Sequence, residues 1–110
     1  MSDITMFYVP CSNKGEALKI ANSLVKERLV ACANILDGCT SVYEWKGEIK
    51  EESEVILIMK TVKSLQLEVE KAISDLHSYE CPGIVALDTA EVNFPFEQWI
   101  NDHTIKKAAL

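Results

Sequence analysis

Cys11 and His77 are the residues of this chain best suited by type to shared chemistry. A thiolate is a soft sulfur donor and imidazole a nitrogen donor, so the pair suits copper or zinc. Two ligands do not complete a site, since zinc takes four; Glu80, water or a neighbouring chain would have to supply the rest. The same pair could act as nucleophile and base. No third group is in evidence to orient the base, however, and no glycine-rich loop prepares an oxyanion site, so catalysis is not expected. Simpler roles compete with both. A cysteine is often a small buried hydrophobe, and a histidine at a helix C-terminus is often a favourable cap.

The other candidates are weaker. Of the four cysteines, Cys32 falls in an apolar strand and reads as packing, and Cys39 lies beside a kink and reads as structural. Cys81, just before Pro82, is a secondary ligand candidate. No CxxC occurs, and the spacings fit no zinc template. His103 reads as a surface group. Tyr43 and Trp45 could stack on a ligand, although aromatics on one strand face more often pack against a strand or chain. Glu48, Glu51, Glu52 and Glu54 could attract cations, or could simply discourage edge pairing. No phosphate-binding glycine motif is present.

Composition bounds the partners. The net charge of −6 argues against a nucleic-acid binder. No apolar run approaches the roughly 18 residues of a membrane span. Residues 1–10 lack a basic region before an apolar core, so a secretory signal is not expected and the reducing cytoplasm is the expected location. The 110 residues, 48% hydrophobic and 25% charged, predict one domain over residues 1–110. Roughly two thirds of the unfolded surface can be buried in a chain this long, so no metal is required for folding.

The elements that position these residues follow from periodicity. Residues 4–9, rich in β-branched and aromatic types, predict a strand that stops at Pro10. Asn13 and Glu16 have capping-box spacing. Ala17, Ile20, Ala21, Leu24 and Val25 then recur on one helical face. A long strand is predicted from Leu29, with a bulge at Asp37-Gly38, running to Trp45. After a turn at Lys46-Gly47-Glu48, residues 53–62 predict a strand, and its run Val55-Ile56-Leu57-Ile58-Met59, apolar on both parities, predicts burial on both faces. Ser64 is a predicted N-cap. Leu65, Val69, Ala72, Ile73 and Leu76 form the second helical face, ending near His77. A loop over residues 78–83 leads to a strand at 84–87. Pro95, Phe96, Trp99 and Ile100 predict a short C-terminal helix.

The order β-α-β-β-α-β, with a long hairpin and a terminal helix, predicts an α+β, ferredoxin-like fold with both main helices on one sheet face. Cys11, the start of the first helix, His77 and the loop with Tyr79, Glu80 and Cys81 then share one rim. The second sheet face would be apolar and bare, and a second copy of the chain is the economical cover.

The sequence resembles the CutA family of divalent-cation tolerance proteins. The resemblance rests on Leu29-Val30-Ala31-Cys32-Ala33-Asn34-Ile35, Ser41, Tyr43, Trp45, Gly47, Glu54, Lys60-Thr61, His77-Ser78-Tyr79-Glu80-Cys81-Pro82 and Trp99. It spans nearly the whole chain. It implies a PII-like ferredoxin fold and a homotrimer whose long hairpins pair between subunits. It also implies a cytoplasmic, non-catalytic protein responding to metal ions, with copper or another divalent metal as ligand. In some bacterial members the proposed copper ligands are a cysteine ending the first strand and two adjacent histidines near the end of the second helix. Cys11 and His77 match the cysteine and the second histidine; Leu76 stands in place of the first. The alternative is a PII-like signalling trimer that binds a small molecule or protein partner in inter-subunit clefts.

Overall fold

The computed structural model describes residues 2–106; Met1 and residues 107–110 lie outside it. Strand β1 (Ile4–Cys11) continues through Pro10, two residues past the predicted end. Its neighbour β4 (Val85–Asp88) pairs only with Thr5 to Tyr8, so Pro10 has a ladder partner, Ile56, on one side alone. Proline is tolerated where a strand is locally an edge.

Helix α1 (Lys14–Lys26) starts as its capping signal predicts, with the Glu16 N–H donating to Asn13 Oδ1 at 2.9 Å. It buries Ala17, Ile20, Ala21 and Leu24, whereas Val25 lies at the margin of the stripe and is 40% exposed. Arg28, at φ 60°, ends the helix, and the Leu29 N–H returns to the Leu24 carbonyl at 3.0 Å. That closure consumes residues 29–31. The long strand β2 (Cys32–Trp45) therefore begins three residues later than its apolar run predicts.

β2 and β3 (Glu48–Val62) form the hairpin. Lys46 and Gly47 both have positive φ, 50° and 83°, the two-residue turn whose twist matches the strands. β3 starts at Glu48 rather than at residue 53, because its first half is polar and carries no hydrophobic signal. The predicted bulge is present as a register shift between Leu36 and Cys39, with Gly38 at φ 81°. Past the Cys11–Val55 pair no third strand among the described residues supports the hairpin, so its arm projects. The chain measures 46 × 26 × 24 Å.

A tight 3-10 turn, Lys63–Leu65, precedes α2 (Gln66–Leu76). Ser64 lies inside this turn and is not the N-cap; neither the turn nor the helix has a side-chain cap. Burial of Leu65 draws the first turn tight and takes Ser64 out of the capping position. Helix α3 (Phe94–Asp102) carries Pro95 in its first turn and anchors through Ile100.

The sheet order is β2-β3-β1-β4 with every neighbour antiparallel, the ferredoxin-like arrangement predicted. Phe7, Val9, Leu57 and Met59 meet Ile20, Leu24, Val69 and Ile73 in the core. The opposite face carries Tyr8, Leu36, Val85 and Leu87, all more than a third exposed. This is the bare apolar face the two-sided strands imply.

Candidate functional site

β1 ends, α1 begins and α2 ends at one rim, and there Cys11, Glu16 and His77 converge. One donor atom from each lies within 4.8 Å of the others. Cys11 is the last residue of β1 and wholly buried. His77 caps α2, its N–H donating to the Ile73 carbonyl at 2.9 Å. Both bland roles weighed for these two residues are thus in place.

Glu16 is the member that sequence reasoning missed as a site residue. Its spacing marks it as a capping partner of Asn13, but it reaches further. Oε1 accepts from the Ser12 N–H at 2.9 Å and the Ser12 hydroxyl at 3.0 Å, and Oε2 accepts from the Ser78 N–H at 2.7 Å. The available signal was its place in the first turn of the helix that starts at this rim. Burial works against the charged carboxylate, but the hydrogen bonds from Ser78 and Ser12 outweigh it and hold the group down at about 2.

The imidazole of His77 is fully used. Nε2 donates to the Pro10 carbonyl at 2.8 Å, and Nδ1 accepts the Tyr79 N–H at 3.1 Å. This fixes the neutral tautomer with its proton on Nε2. Glu16 Oε2 lies 3.8 Å from Nδ1. The Cys11 thiol is pushed up to about 12, first by burial and then by the negative charges of Glu16 and Glu54. Sulfur, nitrogen and carboxylate donors fit copper or zinc in kind. To serve as ligands, Cys11 would have to lose a strongly held proton and His77 one of its two hydrogen bonds.

Tyr79 links this joint to a second feature. Its ring lies against His77, with centroids 4.6 Å apart, and its hydroxyl donates to Glu54 Oε2 at 2.6 Å. Beyond it opens a cleft of about 540 Å³ between the hairpin arm and the loop over residues 79–83. Tyr43, Trp45, Glu52 and Glu54 line one side, and Tyr79, Glu80 and Cys81 the other.

The remaining candidates are dispersed. Cys81 is exposed and lines the cleft, outside the Cys11 cluster. Cys32 pairs across the strand with Lys60 and is half-buried, not a core packing residue. Cys39 sits at the bulge, its sulfur 3.7 Å from the Ser41 hydroxyl. His103 is exposed as expected, but it stacks on Trp99 and bonds its carbonyl at 2.8 Å.

A four-stranded antiparallel sheet in ferredoxin-like order, with a projecting hairpin and a Cys–Glu–His joint at one rim, defines a distinct class of small α+β protein. Residues 5–103 match the CutA1 divalent ion tolerance protein family, and the chain belongs to it. It is 38% identical to the divalent-cation tolerance protein CutA of Thermus thermophilus over 94% of this chain and 99% of that one. It is 39% identical to human protein CutA over 92% of this chain but only 56% of the human protein. The chain thus spans a little over half the length of its mammalian relatives. The crystal structure of CutA1 from Ehrlichia chaffeensis superposes with a TM-score of 0.91 at 36% identity, over 96% of this chain and 99% of that one. Relatives are named chloroplastic in Arabidopsis thaliana and periplasmic in Archaeoglobus fulgidus. No helix among the described residues is long and apolar enough to cross a membrane.

Proposed function

We propose that this chain forms a homotrimer of the divalent-cation tolerance type that responds to metal ions, binds copper weakly at Cys11 and His77, and catalyses no reaction. The convergence of Cys11, Glu16 and His77 within 4.8 Å carries the reading. Copper is favoured because the divalent affinity series peaks there and a thiolate also suits Cu(I). Weakness follows from the hydrogen bonds already held by His77 and the raised Cys11 thiol. The same two facts support a non-catalytic role, since neither a thiolate nor a free imidazole nitrogen stands ready. The bare sheet face supports self-association, and the family resemblance supplies the number three. Four unpaired cysteines support a reducing, cytoplasmic location.

Light scattering should give three times the chain mass, and Leu36→Glu on the bare face should shift it towards the monomer. A wild-type monomer at micromolar concentration would refute the assembly. Calorimetric titration of reduced protein should show copper bound more tightly than zinc. Cys11→Ser should weaken copper most, and Leu76→His should strengthen it. Equal binding by wild type and the Cys11→Ser, His77→Ala double variant would refute the site.

The aromatic cleft favours a second reading, a PII-like signalling trimer that binds a small molecule or protein partner in inter-subunit clefts, to which the hairpin arm and the residue 79–83 loop would contribute one chain's wall. A small molecule there would leave the joint's hydrogen bonds intact.

A further inference from the structure

The cleft bounded by the hairpin arm and the residue 79–83 loop has a chemical bias that the joint beside it lacks. Three aromatic rings, Tyr43, Trp45 and Tyr79, form its walls, and three carboxylates, Glu52, Glu54 and Glu80, stand among them. The one cation in its lining, Lys50, is already paired, 3.1 Å from Glu48 Oε2, and is outnumbered by the three carboxylates. Glu52 and Glu54 each accept one phenolic O–H, from Tyr43 at 3.1 Å and Tyr79 at 2.6 Å, and among the described residues neither has a cation paired to it. Among the described residues Glu80 makes no hydrogen bond or ion pair. Burial, and after it the hydrogen bond to Glu54 and the nearby carboxylates, raises the Tyr79 phenol, so its hydroxyl stays a donor and adds no charge of its own.

We propose that this cleft is a binding site for a small organic ammonium ion. The proposal rests on the second reading above and names its ligand class. An aromatic wall attracts a cation through the negative face of each ring, and a carboxylate completes the pairing. Lys46, from the hairpin turn, already lies 5.9 Å from the Trp45 ring centroid, at the outer limit of such a contact. A bare metal ion is the wrong occupant. Among the described residues, Cys11, Glu16 and His77 are the group whose donor atoms converge closely enough for an ion, and the cleft carboxylates are not among them. A volume of about 540 Å³ instead suits a molecule with a body as well as a charge.

The chain has two tryptophans, so Trp99→Phe leaves Trp45, in the cleft lining, as the sole tryptophan, read by excitation at a wavelength the tyrosines do not absorb. Choline and spermidine, titrated at constant ionic strength, should each change its emission saturably. The neutral isostere of choline, 3,3-dimethylbutan-1-ol, should bind roughly tenfold more weakly or not at all. Glu54→Gln and Glu80→Gln should each weaken choline by up to about tenfold, with the trimer mass unchanged. Equal binding of the alcohol, or indifference to both glutamine variants, overturns the proposal. Saturable binding of citrate in place of the ammonium probes overturns it while sparing the second reading. No response to any of the probes overturns both.

Discussion

The joint of Cys11, Glu16 and His77 and the cleft beyond Tyr79 share one rim and one tyrosine, yet they differ in how their polar groups are balanced. In the joint each polar atom is spoken for: His77 uses both nitrogens, and Glu16 accepts three hydrogen bonds. In the cleft three carboxylates stand among aromatic rings, and among the described residues no cation is paired to them. A satisfied network holds elements together, whereas an unbalanced one has free energy left for a ligand. Proximity thus supports copper at the joint, while the hydrogen bonds its members already hold are the reason that binding there is expected to be weak.

The sharpest test of that contrast is thiol reactivity. With its thiol near 12, Cys11 at pH 8 is thiolate in only about one molecule in ten thousand, and it is buried. Iodoacetamide should modify exposed Cys81 first and Cys11 at least about a thousandfold more slowly, as read by peptide mass spectrometry. Comparable rates would mean that the joint opens readily.

The next largest effect concerns Glu16. Glu16→Ala removes the acceptor for Ser12 and Ser78 and should cost about 2 kcal/mol in urea unfolding. Its folded value near 2 lies below the ordinary 4.5, so its contribution is complete above about pH 4.5 and is lost as pH falls towards 2. Glu16→Gln should flatten that part of the stability profile. An unchanged acid limb would locate the acid sensitivity elsewhere.

Smaller again is Tyr79→Phe, which breaks the bond to Glu54 but keeps the backbone N–H on His77; about 1 kcal/mol is expected. Last comes Glu80→Gln. With no partner among the described residues to lose, its stability should stay within about 0.5 kcal/mol of wild type. A large loss there would show that the cleft, like the joint, is part of what holds the rim together.

The sequence carried the strand and helix order well, because Ala17 to Leu24 and Leu65 to Ile73 keep helical phase and residues 55–59 are apolar on both parities. It carried the convergence of Cys11 with His77, since topology alone puts both at one rim. Less was visible where polar residues do structural work at a distance. Glu16 has an adequate local explanation as a capping residue, which hid its bond to Ser78 in a loop far along the chain. The first half of β3 is acidic and unpatterned, and only pairing with β2 makes it a strand. Ser64 shows the reverse error: a good capping residue one position too early, since the buried Leu65 takes the N-cap position of α2.

The bulge at Gly38 acts on everything above it as a change of phase. Below it, even-numbered residues of β2 lie opposite even-numbered residues of β3, as in Leu36–Ile56; above it, odd meets even, as in Cys39–Glu54 and Tyr43–Lys50. One inserted residue thus inverts which side of the ribbon each β2 side chain occupies. It brings Tyr43 and Trp45 to the side of Pro10 and Glu54, where the cleft is, and sends Val42 and Glu44 to the other. A chain without Gly38 could pair just as many residues and keep every aromatic ring, yet display those rings on the opposite side of the arm.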